Sequence, residues 1–263
     1  MRLRDFLFHE EPGIQLFCGD CREVLPLLPI RCTSYCLEMC VGACVPIDLV
    51  VTDPPYVIGL ASTAQEGKAG SWADIMNSAL FYATWIKECF RLTQPQQGAA
   101  WIFNSWRSFP VLARAAYDVS WPIESLMVWD KQWIGPGGPQ GLRPSYEFVA
   151  LFAHDDFALA NRGLPDIWRC QWSSQRPNGH PAEKPSNLVR RIIRESGGAG
   201  TVLDPFTGSG TTLQAAKLEH RNAIGIESEA KYCALSVKRL RQEVLPFSRH
   251  ADAREATTGG LIP

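Results

Sequence analysis

Short apolar runs alternate along most of the chain with segments whose apolar residues recur every three to four positions. The first pattern reads as buried strand, the second as helix packed on one face. "IQLFCG" and "IDLVVTD" are predicted strands, separated by a short helix near "CREVLPLL" and by a cysteine-rich segment. A helix follows across "DIMNSALFYATWIKECFRL", then the strand "GAAWIFN". "ESLMVWDK" and "YEFVALFA" read as a strand pair flanking the Gly/Pro-rich loop "IGPGGPQGLRPS". The last third gives helix "SNLVRRIIRES", strand "TVLDPF", helix "TTLQAAKLE", strand "NAIGIES" and helix "AKYCALSVKRLRQEV". Such alternation predicts an α/β fold: a mostly parallel, twisted sheet with helices on both faces and the strand pair as a β-hairpin at one edge.

With 263 residues the chain can bury a substantial core. Residues 1–245 are expected to form a single domain, with an insertion at about 31–46. Periodicity stops after Pro246, so 246–263 reads as a flexible tail. Apolar content of 46% and charged content of 20% fit a soluble protein, and no apolar run approaches the roughly 18 residues a membrane helix needs. "MRLRDFLFHEEPG" does not resemble a secretory signal, which makes the cytoplasm the expected compartment.

A net charge of −1 offers no overall electrostatic case for a nucleic-acid partner, so any such case is local. Between Phe157 and Arg194 the basic residues are Arg162, Arg169, Arg176, Lys184, Arg190, Arg191 and Arg194, against only Asp166 and Glu183. That is either a surface of one sign or an ordinary solvated face. Of the nine cysteines, Cys32, Cys36, Cys40 and Cys44 recur every fourth residue. On a helix they would form a stripe about 18 Å long, too long to share one zinc, and they read as small buried side chains. Cys18 and Cys21 form a CxxC pair with no second pair at zinc-site spacing, so no metal is expected.

"TVLDPFTGSGTTLQAA" carries the first chemical signal. A short strand ends at Asp204, Gly208 and Gly210 follow, and a helical pattern begins at Thr211. Glycines at a strand-to-helix turn let a ligand approach the backbone and the amides of the helix start. Glu227 ends the next strand, where a carboxylate can accept hydrogen bonds from ribose hydroxyls. Leu213 stands at the third glycine position of the dinucleotide pattern, and Asp204 would repel a pyrophosphate. The loop therefore favours a nucleoside bearing an amino-acid group, as S-adenosylmethionine does; a glycine turn without a ligand is the alternative.

The second signal is "DLVVTDPPYVIGL", in which a buried strand runs into Asp53, Pro54, Pro55 and Tyr56. Strand carboxyl ends line the crevice of open α/β sheets, so Asp53 is presented there. Two prolines fix their φ angles and remove two donors, leaving a rigid corner whose carbonyls only accept. A carboxylate and a carbonyl held side by side match an exocyclic amine with two hydrogens to donate, and Tyr56 offers a flat face to a base.

These residues resemble the amino-group DNA methyltransferases, in the permuted arrangement called the β class. "DPPY" at 53–56 is similar to its catalytic motif and "DPFTGSGTT" to its cofactor loop, in the order that class shows. "HPAEKPSNLV", with His180, Pro181, Lys184 and Pro185, looks like the segment that helps to hold the cofactor's methionine part. "GDCREVLPLLP" is similar to the motif whose aspartate, here Asp20, contacts the cofactor adenine. The resemblance spans roughly residues 14–241. It implies a catalytic role for Asp53, Pro54, Pro55 and Tyr56. It implies cofactor contacts for Asp20, Cys21, Asp53, Lys184, Ser186, Asp204, Pro205, Phe206, Gly208, Ser209, Gly210, Thr211, Glu227 and Ser228. Lys184 would meet the methionine carboxylate, and Pro185 suits the first position of a helix.

The implied reaction is methylation of double-stranded DNA by S-adenosylmethionine, with the target base flipped out, as in restriction-modification systems. Cytosine-C5 transfer needs a Pro-Cys nucleophile, and no such pair exists here. In the family, Asp at the first motif position goes mostly with adenine, so N6-adenine is expected, with N4-cytosine as the alternative. A non-catalytic DNA-binding module that retains the fold, or a methylase of RNA or amide nitrogen, are the rivals from other classes. Target recognition is expected within about 131–180, where Arg143, Arg162, Arg169 and Arg176 are candidates for phosphate or guanine contacts. Monomer and homodimer both remain open, and a bacterial or phage origin is expected.

Overall fold

The computed structural model describes residues 1–29, 47–56, 72–135, 141–172, 183–198 and 200–242. The cysteine stripe, the loop after Tyr56, residues 173–182 with Arg176 and His180, and the segment from 243 lie outside them. The described strands are β1 (Leu7–Glu11), β2 (Ile14–Cys18), β3 (Ile47–Thr52), β4 (Ala99–Asn104), β5 (Ile123–Asp130), β6 (Tyr146–Ala153), β7 (Ile167–Arg169), β8 (Thr201–Asp204) and β9 (Asn222–Glu227). The helices are α1 (Cys21–Val24), α2 (Trp72–Leu92), α3 (Phe109–Asp118), α4 (Ser186–Glu195), α5 (Thr211–Leu218) and α6 (Ala230–Leu240).

All the strands join one sheet in the order β1-β2-β9-β8-β3-β4-β6-β5-β7. From β2 through β4 neighbours run parallel, while β6 is antiparallel to both β4 and β5. The predicted hairpin is β5 and β6, and β7 lies beyond it, parallel to β5. β1 makes a second antiparallel pair at the opposite edge.

Both faces are buried. Leu49, Val51, Trp101 and Phe103 point into one core with α4, α5 and α6, whereas Val50, Ala100 and Ile102 point into the other with α1, α2 and α3. A strand covered on both faces has no polar side to show, which is why these runs read as continuous apolar stretches. On α2, Tyr82, Trp85 and Ile86 are fully buried, each contributing about 1.5–3 kcal/mol by burial.

Three elements escape the periodicity. β1 reads "LFHEE" because, as an edge strand, it buries no residue fully. α3 has Pro110 in its first turn and buries only Leu112, Ala115 and Ala116, a weak stripe. β7 has three residues. Pro185 is the N-cap of α4 rather than its first helical residue.

The chain crosses from β8 to β9 on one side and from β3 to β4 on the other, so the order reverses between the adjacent strands β8 and β3. Ligands of open α/β sheets bind outside the strand carboxyl ends at such a point. Asp204 ends β8 and Asp53 directly follows β3.

Among the described residues from Phe157 to Arg194, several of the basic side chains are already engaged. Arg169 faces Asp130 at 3.7 Å, Arg190 binds Glu219 at 2.8 Å, and Arg191 lies 4.1 Å over the Trp168 ring. Arg162 sits on the connection whose Ala160 amide donates to the Glu195 carbonyl at the amino end of the sheet, away from the crevice. It is therefore a poor candidate for a contact near the target base.

Candidate active site

Thr52, the last residue of β3, is buried, and its hydroxyl donates to Asp204 Oδ1 at 2.7 Å. This hydrogen bond joins two motifs 152 residues apart. Immediately after it comes the proline corner. The Pro55 carbonyl accepts from the Tyr82 hydroxyl of α2 at 3.4 Å, which braces the corner from behind. The Tyr56 hydroxyl lies 2.8 Å from Asp53 Oδ1 and 3.1 Å from Glu147 Oε2.

Lys184 does not stand apart as a cofactor anchor. Its ammonium donates to Asp53 Oδ2 at 2.6 Å and lies 3.3 Å from Glu147 Oε2. The Tyr56 and Phe103 rings flank it at 5.4 and 5.3 Å. Lys131 completes the group by donating to Glu147 Oε1 at 2.5 Å. Glu147 and Lys131 were not anticipated from sequence. They stand on β6 and just past β5, and the pairing of those strands brings them to the carboxyl end of β4. A charged residue inside the otherwise apolar strand "YEFVALFA" was the available signal.

Burial sets the protonation of this cluster and opposite charges modify it. Burial pushes the Asp53 carboxyl above its ordinary range, although Lys184 pulls it back. For Glu147 burial acts upward too, but Lys184 and Lys131 outweigh it and leave it below the usual range. Burial works against the Lys184 cation, and the two carboxylates more than compensate, so it stays charged. The hydroxyl of Tyr56 is held well above its ordinary value by burial and by both carboxylates.

The glycine loop is built around Asp204, which is 3% exposed. Its carboxylate lies beneath the loop, not at its surface: Oδ1 accepts from Thr52 and from the Phe206 amide at 3.0 Å. Burial raises this carboxyl to about 6. Any attraction for a ligand ammonium is thus exerted from below the loop. Gly208 and Gly210 have φ of 54° and 84°, the left-handed region that glycine adopts readily. The Gly208 amide donates to Glu227 Oε2 at 2.9 Å, and Glu227 Oε1 accepts from the Glu229 amide at 2.8 Å. Each carboxylate oxygen can accept a second hydrogen bond, so Glu227 keeps capacity for a ribose diol.

The remaining expected contacts are distributed unevenly. Pro205 and Ser209 are buried in the turn, Thr211 is buried at the start of α5, Ser186 is half-buried at the start of α4, and Ser228 is exposed beside Glu227. Phe206 packs on Trp85 and Phe81, with centroids 5.2 and 5.7 Å away. Asp20 caps α1 through the Arg22 amide and pairs with the Arg22 guanidinium, which lowers its pKa. The Cys21 side chain turns into the core, where burial pushes its thiol to about 12; only its backbone can face a ligand. Between α1 and α2 a cleft of about 550 Å³ opens, lined by Asp20, Arg22, Glu23, Leu80, Phe81 and Thr84. With Glu227, the left-handed glycines and this partly apolar cleft, the residues present fit an adenosine-containing cofactor. Among the described residues no cluster of His, Cys, Asp or Glu could hold a metal ion, and no helix is long and apolar enough to cross a membrane.

The geometry finds its counterpart in known proteins. The sequence model of a DNA methylase family covering N6 and N4 transfer matches residues 47–238, from β3 into α6. The chain belongs to this DNA methylase family. Type II methyltransferase M2.MboI of Moraxella bovis is 30% identical to this DNA methylase over 282 residues, covering 95% of each chain. DNA adenine methyltransferase YhdJ of Escherichia coli is 29% identical over 230 residues, covering 74% of this chain and 76% of the relative. The crystal structure of an M1.HpyAVI–SAM complex superposes with a TM-score of 0.62 at 24% identity, covering 86% of this chain and 100% of that one. PvuII DNA methyltransferase, described as cytosine-N4-specific, gives 0.67 at 19% identity, with 90% and 92% covered. This DNA methylase therefore has the Rossmann-like fold of S-adenosylmethionine-dependent methyltransferases, and S-adenosylmethionine is its cofactor.

Proposed function

We propose that this DNA methylase transfers a methyl group to the N6 amine of adenine in double-stranded DNA, at a specific sequence and on a flipped-out base. The observation that carries the reading is the Thr52–Asp204 hydrogen bond, which fixes the acceptor-only corner and the glycine loop side by side at the switch point. Bound S-adenosylmethionine supplies an electrophilic methyl group on a sulfonium. What the protein adds is position and electrostatics. Asp53 and the Pro54 carbonyl accept the two amine hydrogens, which holds the nitrogen lone pair out of conjugation with the ring and aims it. Tyr56 stacks on the base, and Pro55, braced by Tyr82, keeps the corner rigid. Glu227 and the backbone from Asp204 to Thr211 hold the nucleoside, while Asp20, Ser186 and Ser228 border it.

Asp53 at the first motif position supports adenine, as does the likeness to YhdJ, a DNA adenine methyltransferase. The likeness to the N4-specific PvuII enzyme favours cytosine-N4 as the second reading, since both amines present the same hydrogens to the same acceptors. Bacterial relatives support a cytoplasmic enzyme of bacterial or phage origin. The test is transfer of labelled methyl from S-adenosylmethionine to mixed-sequence duplex DNA, RNA and protein, followed by digestion of the DNA to nucleosides. Label in N6-methyl-2′-deoxyadenosine from DNA is expected. Label in N4-methylcytosine, in RNA or in protein overturns the adenine reading.

A further inference from the structure

Asp53 meets a substrate amine with a donor already on each of its oxygens, and those donors compete with the amine for it. Its Oδ1 lies 2.8 Å from the Tyr56 hydroxyl and its Oδ2 takes the Lys184 ammonium at 2.6 Å. Both donors have a second acceptor within reach, and it is the same atom: Glu147 Oε2, at 3.1 Å from the Tyr56 hydroxyl and 3.3 Å from Lys184. The other oxygen of Glu147 is held by Lys131, so the carboxylate is fixed before anything moves. Two carboxylates and two ammonium groups make the cluster neutral, and a small shift of each donor changes its partner while every charge stays within the cluster. The aromatic rings on either side of Lys184 confine the shift.

Resting on the amine-transfer reading above, we propose that Glu147 is a positioning residue that receives the Lys184 ammonium and the Tyr56 hydroxyl when Asp53 turns to the amine of the target base. Lys184 then links the state of Asp53 to that of Glu147, and Lys131 holds Glu147 in place to accept. Without the Glu147 charge, Lys184 stays on Asp53 and competes with the substrate.

The experiment compares the wild-type enzyme with Glu147→Gln and Glu147→Asp. Its binding probes are duplexes carrying the methylated sequence, with either adenine or purine lacking the 6-amino group at the target position. The groups facing Asp53 are Lys184, Glu147 and Tyr56, with Tyr82 and Asp204 behind, so Glu147→Gln removes one charge from a defined set. Expected for Glu147→Gln are cofactor affinity within about threefold of wild type, kcat lower by about tenfold or more, and loss of the binding preference for adenine over purine. The acid limb of the pH–rate profile should move to lower pH, because Asp53 keeps its cation and loses a neighbouring negative charge. Glu147→Asp should recover part of the preference. The proposal is overturned if Glu147→Gln retains the preference and the pH profile. It is equally overturned if kcat falls with both unchanged, the mark of a merely structural loss. A wild-type enzyme that methylates no DNA amine would instead overturn the reading beneath it.

Discussion

In the proposed reaction Asp53 is the residue on which the chemistry turns. Asp53→Ala should reduce transfer by about 10²–10³-fold, the usual loss when a preorganised polar contact to the reacting group is removed. Cofactor affinity, measured by calorimetry, should stay within a few-fold; its collapse would mean that Asp53 serves the cofactor instead. Asp204 gives a pH-linked prediction. Its carboxyl rises from 3.8 to about 6 on folding because it is buried. In the window between those values the folded chain holds a proton that the unfolded chain lacks, so its contribution to stability grows as pH falls. At pH 7.5 the buried charge is a cost. Asp204→Asn should therefore melt at or above the wild-type temperature at pH 7.5, an advantage that shrinks at pH 5, while binding S-adenosylmethionine about tenfold more weakly, roughly 1.4 kcal/mol. Asp53, Tyr56, Asp204 and Glu227 were legible because each lies inside a local motif. Glu147 and Lys131 were not, since their part in the site comes from pairing of β5 with β6 and of β6 with β4.

Elements of the nucleotide half are held by backbone geometry that tolerates little change. Gly210 has φ of 84°, and a Cβ there would sit 2.8 Å from the Ser236 Cβ. Gly210→Ala should cost about 1–2 kcal/mol from the left-handed conformation alone, with more from the clash, read as a lower denaturant midpoint. Arg239 of α6 reaches both the Thr211 hydroxyl at the start of α5 and Glu183 beside Lys184. Removing one partner of such a buried pair costs about 3–5 kcal/mol, so Arg239→Met should destabilise the fold by that order and loosen the approach to the cofactor loop; an unchanged unfolding curve would contradict the tie. At this scale the two-face-buried strands β3, β4, β8 and β9 and the strongly striped helix α4 were readable. β1, α3 and β7 were not, because an edge strand with polar residues, an alanine-faced helix with a proline in its first turn and a three-residue strand carry little hydrophobic contrast.

Over the whole molecule, a net charge of −1 makes attraction to DNA a local matter. The carboxyl ends of β4, β5 and β7 and the amino end of the antiparallel β6 lie on the crevice side of the sheet, with Trp106, Arg107, Trp133, Arg143, Arg169 and Trp172 in or beside them. Arg107 is exposed, 5.1 Å over the Trp106 ring. If it meets a phosphate, Arg107→Ala will weaken binding to all duplexes alike and reduce the slope of log K against log salt by about 0.9. Topology places the Asp53–Tyr56 corner and the glycine loop on the adjacent strands β3 and β8, and this juxtaposition, not the overall charge, is what supports the proposed amine transfer. The most direct measurement is expression in cells lacking endogenous adenine methylation, followed by modification-aware sequencing of their DNA. N6-methyladenine at one recurrent sequence, absent with the Asp53→Ala variant, is the predicted result; N4-methylcytosine, or unmodified DNA from cells making folded wild-type protein, would contradict it.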